Sequence, residues 1–205
     1  MRKEILISLA IGVCLALASV SVSAYEAGDW RTTIGMTNIN PEQTNGTTLA
    51  GDLKVDDATQ LSFTGAYFFT PALSLELLAS LPFEHDITVN GLAGVNTKHL
   101  PPTLSLQWHF NSAGNIIPYV GAGLNYTKFF STKTYGQWAG VDIDIDDSFG
   151  LALQAGLDYM INDKLFINID LRYIDIEADV KANGVVIGKA EINPTLVGVS
   201  LGYRF

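Results

Sequence analysis

Three histidines, a run of aspartates and a scattered set of arginines and carboxylates are the residues through which this 205-residue chain could do chemistry. His85, His99 and His109 would act as general bases only with a serine or a carboxylate within hydrogen-bond reach. No fixed spacing ties any of them to such a partner, so no catalytic residue is expected. The aspartates of Val141-Asp-Ile-Asp-Ile-Asp-Asp147 alternate as in a calcium loop. However, the sixth position lacks glycine, and Leu153 stands where the twelfth needs glutamate. Strand periodicity puts Asp142, Asp144 and Asp146 on one face, as on a solvated loop, and neither metal nor cofactor is expected; a weak divalent bridge to lipopolysaccharide is the alternative. Arg31, Arg172 and Arg204 with Glu76, Asp158 and Asp170 lie far apart in sequence. Whether they meet depends on the elements that carry them.

Those elements are strands. In the terminal run Thr195–Phe205, every second residue (Thr195, Val197, Val199, Leu201, Tyr203, Phe205) is large and mostly apolar, and those between are mostly small or polar. A period of two is a strand with two unlike faces. A soluble strand ending on two aromatics would leave an apolar edge to aggregate, whereas lipid demands this face. Seven earlier segments repeat the pattern: Trp30–Met36, Leu61–Phe69, Leu73–Leu81, Leu100–Phe110, Tyr119–Phe130, Phe149–Tyr159 and Leu165–Tyr173. The connections alternate long and short. An even strand count with short turns at one end is the bacterial outer-membrane arrangement, with both termini in the periplasm. The reading is therefore all-β: an eight-stranded antiparallel transmembrane β-barrel with short periplasmic turns and long extracellular loops. A lipocalin-like barrel would turn its apolar face inward. Here Arg31, Glu76, Gln107, His109, Gln154, Asp158, Asn168, Asp170, Arg172 and Arg204 face inward, which decides for the membrane.

The start of the chain agrees. Arg2 and Lys3 precede the apolar stretch Ile5–Val20, and Val22-Ser23-Ala24 offers small residues for cleavage before Tyr25. This is read as a secretory signal at 1–24, leaving 25–205 as one barrel domain. Cys14 follows Val13 and so does not form a lipobox; it would leave with the signal. No later run is apolar and long enough for a helical span. A net charge of −9 without a basic cluster argues against nucleic acid.

An eight-stranded barrel is narrow enough for side chains to fill it. Arg31, Glu76, Asp158, Asp170 and Arg204, with Arg172, are read as a polar plug in the periplasmic half, since charges inside a lipid-facing shell need partners. An ion path through them is the alternative. Higher up, the inward positions Leu78, Pro82, Pro101, Phe129, Ile174, Ile176 and Leu196 make an apolar cup for a small hydrophobic ligand, or packing beneath folded loops. Trp138 would fold over the cup or anchor its loop. Pro82, Pro101 and Pro102 should meet at one seam, where missing N–H donors interrupt the ladder. That seam is a lateral exit into lipid, or a device that splays a hairpin above the bilayer.

The same residues carry a resemblance. His99-Leu-Pro-Pro-Thr-Leu, Gln107-Trp-His-Phe110, Pro118–Tyr126, Glu76-Leu-Leu-Ala79, Pro82-Phe83 and Gly202-Tyr-Arg-Phe205 are similar, in order through residues 25–205, to the outer-membrane protein W family. The resemblance implies an eight-stranded barrel with a hydrophobic pocket that takes up small apolar molecules through a side opening; the alkane-uptake porins belong to the same group. Where relatives can place an apolar aromatic near the pocket floor, this chain has Arg172, facing Leu78. A cation there would make the floor more polar or bind an acid headgroup. Expected partners are outer-membrane lipids and lipopolysaccharide, small apolar ligands, and the barrel-assembly machinery through the Phe205 strand. A structural or adhesive barrel whose loops bind partners is the second reading. It has no use for the proline seam.

Overall fold

The structure, a computed structural model, describes residues 25–42, 45–110 and 114–205; the expected signal at 1–24 lies outside them. Eight strands close a ring: β1 (Trp30–Asn40), β4 (Ala58–Phe68), β5 (Leu73–Ser80), β8 (Thr103–His109), β9 (Ile116–Thr134), β11 (Ser148–Met160), β12 (Leu165–Ile174) and β15 (Thr195–Arg204). Each pairs antiparallel with the next, and β15 pairs back onto β1 from Arg31↔Arg204 to Asn40↔Thr195. Closure leaves no free edge, as a wall in lipid requires. The apolar alternation is satisfied outward: Met36, Leu77, Leu106, Leu153, Ile169 and Val199 are exposed, and their sequence neighbours are mostly buried. Aromatics ring the short-turn end. Trp30 lies 5.2 Å from Tyr67, and Tyr203 4.7 Å from Phe205.

The connections at the other end are not plain loops. They form β2 (Gly46–Thr48), β3 (Gly51–Val55), β6 (Phe83–Val89), β7 (Leu92–Leu100), β10 (Ile143–Ile145), β13 (Glu177–Ala182) and β14 (Val185–Glu191). Asn90-Gly91 and Asn183-Gly184 take positive φ at both positions, the geometry of a tight two-residue hairpin. These strands extend the wall into an outer cup. One side runs β3-β6-β7 onto the upper half of β9, the other β10-β13-β14-β2. In this upper region the alternation reverses sign. Phe83, His85, Ile87 and Val89 point inward, while Glu84 and Asp86 face out, as water rather than lipid requires. Two expected segments shift accordingly. β9 continues to Thr134, and β8 begins only at Thr103, Leu100 belonging to β7.

Two apolar clusters bracket the interior. At the short-turn end Tyr25, Phe68, Ile117, Met160 and Phe166 pack together, with Tyr25 stacked on Phe68 at 4.2 Å. Phe166 lies directly over Gly202, where any Cβ would collide with its ring. The larger cluster fills the base of the cup and joins Ile39, Ala152, Ile174, Ile176 and Leu196 to the inward residues of the outer strands.

Candidate ligand-binding site

Between these clusters lies an ionic layer built from five strands. The Arg172 Nη2 donates to Glu76 at 2.6 Å and its Nε to Asp170 at 2.7 Å. Arg31 lies 3.6 Å from Glu76 and 3.4 Å from Asp158, its guanidinium over the Tyr119 and Phe166 rings. Neutral groups complete the layer. Tyr25 donates to Asp158 at 2.7 Å, Tyr119 to Asp170 at 3.1 Å, and Asn168 to Asp158 at 2.8 Å. All five charged groups are buried. Such a layer is stable only as a set, because removing one partner leaves a buried charge uncompensated. Arg204 stands apart from it. Its Nε meets Asp29 at 2.7 Å at the periplasmic mouth, so this member of the expected plug is a rim residue.

Arg172 is therefore committed to Glu76 and Asp170. With Leu78 it borders a small polar cavity lined also by Thr33, Thr37, Ser62 and Thr64, below the apolar base. Neither residue reaches the cup. Ile174, Ile176 and Leu196 are almost fully buried in packing beneath the cup, and Pro82 stands in the wall. Of the seven expected pocket residues, only Phe129 lines the apolar cavity.

That cavity sits higher, among the outer strands. It is a narrow apolar cleft rather than a wide chamber. Leu53, Val55, Ile87, Val89, Val95, Ile145, Val180 and Ile187 form most of the wall, with Trp138 from the short 3-10 turn Gly136–Trp138. The chain thus uses Trp138 as wall rather than as a loop anchor alone. Gly94 makes room for it, since a Cβ there would strike the indole. Gly94→Ala should swing Trp138 out of the cavity, visible as a red-shifted emission against a Trp138→Phe control. An unchanged spectrum would mean the indole is held elsewhere.

His85 and His99 are the residues that spacing alone passed over. Both are buried, and their rings stack at 4.9 Å with 10° between planes, inside the cavity wall and above the last barrel pair Leu78↔Thr103. Burial lowers the pKa of His85 and pushes that of His99 down to about 3, so both are neutral near pH 7. The signal that could have found them is the alternation of Phe83-Glu-His-Asp-Ile, which puts His85 on an apolar inward face.

The three prolines do come together. Pairing of β5 with β8 stops at Leu78↔Thr103 and resumes between β6 and β7 at Phe83↔His99. Leu81-Pro82 and Pro101-Pro102 occupy the interruption. On the β4 side, the bond from the Leu81 N–H to the Leu61 carbonyl is the last before that from Asp56 to Asp86. His85 Nδ1 meets the Asp56 carbonyl at 2.5 Å at the upper border of this gap. Toward β9 the wall is tight: the Asn125 amide donates to both proline carbonyls, at 3.1 and 3.2 Å.

The aspartate run is occupied by structure. Asp146 pairs with Lys181, Asp147 accepts from the Tyr126 hydroxyl and the Phe129 N–H, and Ile145 faces the cavity.

Comparison with known proteins agrees with this architecture. Residues 26–205 match the family model described as OmpW family. The Outer membrane protein W of Vibrio cholerae is 40% identical, over 95% of this chain and 97% of that protein. The Dibenzothiophene metabolism operon protein PahQ of Pseudomonas aeruginosa is 26% identical, over 88% of this chain and 90% of its own. The crystal structure of the outer membrane protein OprG from Pseudomonas aeruginosa superposes with a TM-score of 0.79 at 30% identity, covering 90% of this chain and 99% of that one. A closed eight-stranded wall, a lipid-facing belt and a match along the whole described barrel lead to one assignment: this chain belongs to the OmpW family of bacterial outer-membrane β-barrels.

Proposed function

We propose that this barrel carries small hydrophobic molecules passively across the outer face of the outer membrane. They enter the apolar cavity from outside and leave sideways into lipid past Pro82, Pro101 and Pro102, with no bond in the cargo changed. The observation that carries the reading is the stacking of compartments: an apolar cavity lies above a tightly packed base and a buried ionic layer. Straight passage would drag an apolar molecule through paired charges, whereas the interrupted ladder lies beside the cavity. A relative named for dibenzothiophene metabolism, the metabolism of an apolar aromatic, is in keeping with such cargo. Contact with membrane lipid along the outward belt belongs to the same reading, as does recognition of the terminal strand Thr195–Phe205 by the barrel-assembly machinery.

Uptake by cells with and without the protein tests it, comparing octane with a sugar of similar size. Octane alone should enter faster, by about tenfold or more. If the sugar gains equally, the ionic layer is a water path. If neither gains, the outer hairpins become the working surface and the adhesive reading takes over.

A further inference from the structure

We propose that the cavity selects molecules bearing a single neutral hydroxyl on an otherwise apolar body, the hydroxyl being held at His85 and His99. The reading deepens the uptake proposal and rests on it for its purpose, though not for the binding itself.

The argument is one of unmet hydrogen bonds. The Asp56 carbonyl can only accept, so His85 Nδ1 carries the proton and His85 Nε2 is left as a lone-pair acceptor. Neither nitrogen of His99 has a hydrogen-bond partner among the described residues, nor has His85 Nε2 or Trp138 Nε1. These atoms belong to side chains lining the same cavity but sit just behind its apolar surface, so a guest reaches them as the wall parts. Neutral His99 contributes one N–H and one lone pair, Trp138 one N–H, and His85 one lone pair. The other polar groups of the wall are engaged: Thr48 donates to the Gly51 carbonyl, and Thr97 shares a bond with Thr132. Buried polar groups are rarely left unpaired, so four such atoms in one apolar wall point to a group that binds there.

The chemistry of that group follows. A hydrocarbon satisfies none of the four atoms. A carboxylate only accepts, so it cannot serve His85 Nε2, and the cavity wall holds no lysine or arginine to balance it. Asp56, Asp57 and Asp86 near His85 disfavour an anion further. A sugar brings more hydroxyls than this wall can pair. One hydroxyl donates to one imidazole lone pair and accepts from up to two N–H groups, so it meets as many as three of the four atoms. A medium-chain alcohol or a simple phenol has that form.

The test compares octan-1-ol with octane in two measurements on the full chain. The first is the ratio of their protein-dependent uptake rates in cells. The wild type should favour octan-1-ol, and His99→Phe, which keeps a ring in the stack, should lower the ratio about tenfold, one hydrogen bond's worth. The second is the 15N resonances of the histidine rings in the purified barrel. Octan-1-ol should move those of His85 and His99, and octane should not. A ratio unaltered by His99→Phe in a folded variant overturns the hydroxyl site while leaving apolar uptake standing. If the wild type speeds entry of neither compound, the uptake reading has failed, and the ring resonances decide alone. Movement with octan-1-ol supports the site, and silence overturns it, as it does if His99→Phe does not fold.

Discussion

Arg172→Met should lower the stability of the folded barrel by about 3–5 kcal/mol, the cost of breaking a buried ion pair from one side. The substitution keeps the stem's volume but strips Asp170 of its only cation among the described residues, and Glu76 of its shorter ion pair. Arg31 still faces Glu76, and Tyr119 still donates to Asp170, so the loss falls mainly on Asp170. Urea unfolding in lipid vesicles, followed by tryptophan emission, would show the midpoint move down. Adding Asp170→Asn removes the stranded charge and should return about 1–3 kcal/mol as the coupling between the two sites. A single variant within about 1 kcal/mol of wild type would mean that water reaches the layer and screens it. The measurement also bears on transport, since a water-filled layer could pass ions.

Replacing Pro101 and Pro102 with valine should slow octane entry by about two- to tenfold while leaving the barrel inserted. Valine at 102 would turn its N–H toward Tyr126 of β9, whose own N–H already bonds the residue 102 carbonyl. Only the N–H of a valine at 101 can therefore reach across the place where the β5–β8 and β6–β7 ladders fail to join. One backbone hydrogen bond contributes a net of about 0.5–1.5 kcal/mol against parting the wall. Folding is read from the heat-dependent shift of the band in a denaturing gel, and uptake from the same cells. Equal uptake in an inserted variant would remove the side exit and leave the cavity without an outlet into lipid.

Much of the barrel was legible because lipid imposes one strict rule on every strand. Leu77, Leu106 and Ile169 must face out, and their neighbours Glu76, Gln107 and Asp170 must face in, so period and polarity together gave both fold and orientation. The meeting of Pro82 with Pro101 and Pro102 was equally readable, because strand lengths set their heights. The cup was not. Above the bilayer the same period continues with its polarity inverted, and a segment such as Glu177-Ala-Asp-Val-Lys-Ala182 reads as polar loop unless Ala178 and Val180 are seen as an inward pair. That inversion also misplaced the pocket. Ile174, Ile176 and Leu196 are apolar and inward, yet they lie at the base where side chains meet across the barrel, while the open space is enclosed by hairpins long enough to rise past them. Arg172 had two expected places, in the polar plug and at the pocket floor; Glu76 from β5 and Asp170 from its own strand hold it in the ionic layer, away from the cavity.

β9 runs unbroken for 19 residues, from the short-turn rim through the lipid belt into the wall of the cup. A single inserted residue near its middle would flip every side chain beyond it, sending Asn125 and Thr127 toward lipid and Leu124 or Tyr126 inward. Length variation in such a protein is therefore expected at the exposed hairpin tips, Asn90-Gly91 and Asn183-Gly184, where only the bonds of Asn90 to Asp52 and of Asn183 to Asp142 would have to be re-made. Descendants of this chain can change what the cup admits by substitution and what its rim displays by lengthening a tip. They cannot slide the cup up or down relative to the membrane.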